Sequence, residues 1–330
     1  MKRVLFLGLI LTVVCVASFV PRMRASDCSQ TSTGMIPLTD LGAGYYQGKQ
    51  GGLYPDGANL RPAAHEAAGL QIAGNISPRK PGGRPSKKGR VVLLSIGMSN
   101  TTMEFSVFKQ MADADPQKNR RLVIVDGAQG GMAANDITDP NNPKSQEFWQ
   151  VVDQRLEEAG VTANQVQAVW LKEADREPSV AFPDDATALQ AELETIARTL
   201  KARFPNLQLT YCSSRIYAGY ASSMLNPEPF AYQSGFAVKW MIERQINGAA
   251  DLNFDPARGD VKAPWLAWGP YLWADGTKAR SDGLTWTCNE YLSDGTHPAP
   301  GASGARNQVA QMLLDFFKTD STTRVWFLAP

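Results

Sequence analysis

Histidine is scarce in this 330-residue chain, which holds only His65 and His297, and its four cysteines, Cys15, Cys28, Cys212 and Cys288, form no close pair. Zinc-ligand spacings such as C-x2-C or H-E-x-x-H are therefore missing, and a histidine-rich metal centre is excluded. Net charge is also missing: 33 Lys+Arg against 32 Asp+Glu leave +1. No overall field gathers nucleic acid or an anionic membrane surface, so any partner is recognised locally. Beyond the first 20 residues no apolar run approaches the roughly 18 residues needed to cross a bilayer. What remains, 43% hydrophobic and 20% charged, is globular composition, neither disordered nor fibrous.

The beginning of the chain reads as an address. Lys2-Arg3 precede an apolar run from Val4 to Val20, and small or polar residues follow around Ala25-Ser26, the order of a secretory signal peptide over residues 1–25. The expectation is a secreted or periplasmic protein, or a membrane-anchored one if the segment stays uncleaved, with no membrane insertion after its removal. Cys15 leaves with the signal, and an oxidising compartment then allows a Cys212–Cys288 bridge with Cys28 left over. Residues 26–89 are rich in Gly, Pro and Lys and carry no sustained period. They read as an extension that wraps a domain or tethers it, with 78–89 as exposed linker.

After residue 90 the pattern changes. Short β-branched and aliphatic runs occur at 90–96, 122–125, 166–171, 207–212 and 264–268, and amphipathic helical patterns fall between and after them at 103–112, 146–159, 184–204, 231–246 and 302–317. Near-continuously apolar strands alternating with helices predict a mainly parallel five-stranded sheet covered on both faces, a three-layer α/β/α domain over 90–318 followed by a tail at 319–330. Ligands then bind where loops leave the carboxyl ends of the strands.

Two such loops carry chemistry. The first strand runs into Gly97-Met98-Ser99-Asn100, which puts the Ser99 hydroxyl and its N–H at the binding edge, although a serine there can also simply cap a helix. Near the end of the domain stands Asp294-Gly-Thr-His297-Pro, with the only histidine after residue 90. An acid and an imidazole three residues apart can share one turn, with Asp294 orienting His297 to take a proton from Ser99. That is a Ser-His-Asp arrangement needing no cofactor or metal.

These motifs resemble the SGNH/GDSL hydrolases, a superfamily of esterases and deacetylases on a three-layer, flavodoxin-like fold. Ile96-Gly-Met-Ser99 is similar to their nucleophile block and Asp294-Gly-Thr-His297-Pro to their Asp-x-x-His block. Asp126-Gly-Ala-Gln-Gly130-Gly131 is similar to the block whose glycine N–H joins that of Ser99 in an oxyanion hole. The third block departs: where the family usually carries an asparagine donor, this chain has Trp170-Leu-Lys-Glu-Ala174. The run also resembles the Trp-x-Gln-Gly-Glu segment of carbohydrate acetylesterases, which makes Lys172 a substitute oxyanion donor.

An aromatic-rich stretch leads into the Asp294 loop. Trp268, Trp273 and Trp286, together with Asn100 and Asn135, are candidate substrate contacts, because flat rings with polar edges suit sugar faces. His65 reads as packed or solvated rather than catalytic. The resulting expectation is an exported serine carboxylic-ester hydrolase acting on a carbohydrate O-acetyl or other small acyl ester, either small molecule or polysaccharide. Alternatives are an O-acyltransferase, and a glycan-binding protein that keeps the fold without turnover. Oligomeric state is not legible.

Overall fold

A computed structural model of the protein describes residues 25–329, so the signal peptide expected over 1–25 lies outside the described residues but for its last position. In chain order the elements are α1 (Leu38–Leu41), a two-stranded hairpin of β1 (Tyr45–Tyr46) and β2 (Lys49–Gln50), α2 (Ala63–Gly74), β3 (Val91–Gly97), α3 (Ser99–Ala114), β4 (Leu122–Asp126), α4 (Ala134–Thr138), α5 (Pro143–Glu158), β5 (Val166–Lys172), α6 (Asp184–Arg203), β6 (Leu209–Cys212), α7 (Phe230–Ile246), β7 (Trp265–Trp268), α8 (Ala305–Thr319) and α9 (Arg324–Phe327). β3 to β7 form one parallel sheet in the order β4-β3-β5-β6-β7.

Every residue of β3, β5, β6 and β7 is buried, which is why their sequences read as apolar runs instead of alternating. Helices α3 and α8 pack together, as do α6 and α7, and together they flank the sheet. Helix α6 follows from its sequence: Leu189, Leu193, Ile196, Ala197 and Leu200 lie on its buried stripe, with Asp184 and Asp185 in its first turn and Lys201 and Arg203 in its last, matching the helix dipole. Helix α3 starts four residues before its apolar period does. Its polar first turn is held from below, with Thr101 Oγ1 donating to Lys172 O at 2.6 Å and Thr102 Oγ1 donating to Asp126.

The strand order places the functional edge. From β3 the chain moves outward to β4, then crosses back over β3 to β5, so connections leave in opposite directions between β3 and β5. A crevice opens at the carboxyl ends of strands at such a reversal.

The N-terminal extension is fastened along the domain. Ser32, Thr33 and Gly34 converge on the Asp275 carboxylate, and α1 sits under the Tyr271 hydroxyl, which accepts from Leu38 N. Residues 78–89, expected as linker, are tied down as well: Arg79 pairs with Arg90 through the backbone, and the Gln167 side chain bonds both ways to Ser77. The cysteine pairing differs from the expected one. Cys28 is bonded to Cys288, with Cα atoms 5.4 Å apart. Cys212 is a buried free thiol at the end of β6, and burial pushes its pKa far up. A cysteine inside a central strand faces packed core, whereas Cys28 and Cys288 both lie where the extension meets a loop.

Candidate active site

Gly97 ends β3 with φ +157°, and a Cβ there would fall 2.1 Å from Lys172 O. Only glycine lets β3 and β5 approach this closely while the chain turns. Met98 is extended (φ −101°, ψ −157°) and Ser99 is the first residue of α3, so its hydroxyl stands over the sheet edge at a helix N-terminus. Its Oγ lies 2.8 Å from His297 Nε2.

The partner loop is built around the Asp294 carboxylate. Oδ1 accepts from the Thr296 and His297 amides at 2.9 and 3.0 Å, and Oδ2 receives His297 Nδ1 at 2.6 Å. Gly295 permits this turn with φ +66°, where a Cβ would strike Tyr220 O. The loop closes on itself through Leu292 N donating to His297 O at 2.8 Å. Burial alone would raise the Asp294 carboxyl, but the hydrogen bonds from the His297 and Thr296 amides and the His297 ring outweigh it and hold it below the ordinary range. With Nδ1–H committed to Asp294, Nε2 presents its lone pair to Ser99.

These residues open on a cavity of about 220 Å³ lined by Ser99, His297, Met98, Gly131, Arg176 and Arg215, among others. Gly131 lines the cavity with φ +77°, and a Cβ on Gly130 would stand 3.9 Å from Ser99 Cβ. The two glycines expected to give an oxyanion donor thus flank the serine. Arg176 fixes this turn, donating to Gly131 O at 3.1 Å while pairing with Asp136. A larger cavity of about 450 Å³ lies at the opposite edge of the sheet between Gln71, Lys201 and Phe254, away from the Ser99–His297 pair.

Other expected contacts are placed elsewhere. Lys172 is not an oxyanion donor: its Nζ lies 2.6 and 2.5 Å from the two oxygens of Glu104, and both side chains are fully buried beneath α3. The physical reason is that an ammonium at the end of a buried strand is stable only against a carboxylate, and Glu104 on the covering helix supplies it. Burial lowers Lys172 to about 8, against the opposing pull of Glu104. Ala174 is buried, and its carbonyl accepts from Ala134 N. Asn100 is buried too and donates to Thr296 O at 3.1 Å, tying α3 to the histidine loop instead of touching substrate. Asn135 sits on the exposed start of α4, its amide bonded to Asp175.

The three tryptophans are core. Trp268 is 3% exposed and Trp273 and Trp286 are 0% exposed. Each indole N–H is spent inside, on Leu53 O, Glu228 and Leu272 O. Aromatic crowding in the sequence here marks packing of the extension and α7 against the sheet. His65 is likewise packed, stacked on Trp265 at 4.8 Å and bonded to Leu266 O.

Sequence reasoning missed Arg215 and Asn226, both 3% exposed and both lining the Ser99 cavity. A signal existed for the first: Arg215 stands three residues past β6, in another loop at the carboxyl edge.

Among the described residues no group of three or more His, Cys, Asp and Glu is placed to hold a metal ion. No helix among them is long and apolar enough to cross a membrane. No family model and no curated protein matches the chain. Among solved structures it is similar to a carbohydrate esterase described as having divergent catalytic and non-catalytic binding functions, at 12% identity and a TM-score of 0.38 over 74% of this chain and 69% of the other. It is similar also to the periplasmic domain of a lipopolysaccharide acetyltransferase from Salmonella ser. Paratyphi A, at 12% identity and a TM-score of 0.35, covering 77% of this chain and 94% of that one. A protein of Arabidopsis thaliana matches at 12% identity with a TM-score of 0.31 over 64% of this chain, which spans 65% of that protein's length.

Proposed function

We propose that the protein is an exported serine esterase or deacetylase acting on a small acyl ester of a carbohydrate. The observation that carries this reading is the unbroken chain from Ser99 Oγ to His297 Nε2 (2.8 Å) and from His297 Nδ1 to Asp294 (2.6 Å), opening on a cavity at the strand reversal. Ser99 Oγ attacks the acyl carbon while its proton passes to His297 Nε2. The oxyanion so formed accepts hydrogen bonds from the N–H groups of Ser99 and of Gly130 or Gly131. Collapse breaks the ester bond, His297 returns the proton to the leaving alcohol, and water repeats the sequence to free the acid and regenerate Ser99. Asp294 keeps Nδ1–H in place throughout and stays ionised.

A cavity of about 220 Å³ suits a short acyl group. The Cys28–Cys288 bond supports an oxidising location. One observation favours a second reading, a glycan-binding protein with little turnover: Ala174 places no side-chain donor in the third loop, and loss of one such donor costs about 10²–10³ in rate.

The test is hydrolysis of 4-nitrophenyl acetate and longer homologues by the wild-type protein and by Ser99→Ala. The expected fall is about 10⁴-fold or more with an unchanged circular dichroism spectrum. Equal rates in the two proteins sink the esterase reading. No turnover in either, with acetylated glycan still bound, transfers the site to the binding reading.

A further inference from the structure

Arg215 is 97% removed from solvent, yet its Nε and Nη2 have no hydrogen-bond partner among the described residues. Its main chain is anchored, with Arg215 N donating to Ser234 Oγ at 3.3 Å. The nearby carboxyl groups are committed elsewhere or do not bond it. Glu104 belongs to Lys172. Glu228 accepts from Trp273 Nε1, Ala218 N and Tyr232 N. Glu173 is pushed well above the usual carboxylate range, chiefly by burial, and does not bond the guanidinium. A buried guanidinium stays charged and is costly without a counter-charge. This one faces the cavity that holds Ser99 and His297.

Asn226 lines the same cavity, held in a left-handed conformation (φ +54°) with its Nδ2 given to Asp175 O. Its Oδ1 is buried and has no partner among the described residues. Unpartnered N–H donors and an unpartnered amide oxygen therefore belong to two residues that line one cavity with Ser99. They are complementary to a planar carboxylate next to a hydroxyl.

We infer that the Ser99 cavity selects esters that carry a carboxylate close to the scissile bond, gripped by Arg215, with Asn226 accepting from an adjacent hydroxyl. The carboxylate belongs either to the alcohol half, as in an O-acetylated uronic acid, or to the acyl half, as in a hemisuccinate. This inference rests on the esterase reading for its chemistry, though not for its binding.

Two matched pairs separate the sources: O-acetyl galacturonic acid against O-acetyl galactose, and methyl hydrogen succinate against methyl levulinate. The expected outcome is an acidic-over-neutral ratio in kcat/KM of about 10² for one pair, the size of a charge-assisted bidentate contact, falling to near unity in Arg215→Met and to an intermediate value in Arg215→Lys. In Ser99→Ala, which binds without turning over, free galacturonate or succinate is expected to raise Tm where galactose does not. That measurement stands even if the protein proves not to hydrolyse esters, or if Arg215→Met fails to fold. The absence of both the ratio and the Tm shift overturns the inference. So does a ratio unchanged in a folded Arg215→Met, which would place Arg215 on the oxyanion instead.

Discussion

Two buried cations stand at the carboxyl ends of neighbouring strands, one at the end of β5 and one just past β6, and they do opposite things. Lys172 ends β5 and is closed off by Glu104, with Nζ within 2.6 Å of both carboxylate oxygens. Arg215 follows β6, and two of its nitrogens have no partner among the described residues, in the lining of the cavity that holds Ser99. Burial and charge are alike; only the partner differs. Lys172 works through the fold, since Glu104 and Thr101 both belong to α3 and both bond to Lys172, so the helix that begins at Ser99 is pinned to β5. Arg215 Nε and Nη2 pin nothing among the described residues. A buried charge already answered by the protein is architecture, and one left unanswered is an invitation to a ligand.

The sharpest way to break this contrast is stability. Lys172→Met is expected to cost about 3–5 kcal/mol by stranding Glu104, while Lys172→Met with Glu104→Leu recovers most of it, because a packed apolar pair replaces the ions. Urea midpoints of the three proteins decide the matter, and a double variant no better than the single would remove Lys172 from its structural role.

A third buried base gauges how burial alone acts at the opposite edge. His65 has its pKa lowered from 6.5 to about 4, first by burial. The unfolded chain then binds the proton first, so stability present above pH 6.5 drains away as pH falls from 6.5 towards 4, by about 3 kcal/mol. His65→Gln is expected to flatten that part of the pH–stability curve, with calorimetry as the readout.

The smallest effect belongs to Arg215. Arg215→Met is expected to change unfolding free energy by no more than about 1 kcal/mol, because the lost desolvation penalty offsets the lost packing. A cost equal to that of Lys172→Met would erase the distinction between the two cations.

The strands, the covering helices and the Ser99, Asp294 and His297 constellation were legible because each depends on local sequence: apolar runs for the strands, and residue types at their ends for the chemistry. What escaped depends on contacts between distant segments. Trp268, Trp273 and Trp286 cluster in sequence, but it is Leu53, Glu228 and Leu272 that take up their N–H groups and make them core. Lys172 looked like a donor until Glu104, 68 positions away, was placed against it. Cys28 found Cys288 across a separation of 260 residues, which no spacing rule encodes. Arg215 is an ordinary arginine in sequence and becomes unusual only when its surroundings decline to bond it.

Near the disulfide, Ser26 N donates to Ser293 O at 2.7 Å, next to Asp294. At the other end of the described chain, Ala329 N donates to Gln117 O, just ahead of β4 and thus at the amino edge of the sheet. The two ends of the described residues thus lie at opposite edges of the sheet, one beside the Asp294 loop and one behind it. A bulky carrier joined ahead of Ser26 crowds the entrance to the Ser99 cavity, whereas immobilisation through the C-terminus turns the same entrance outward.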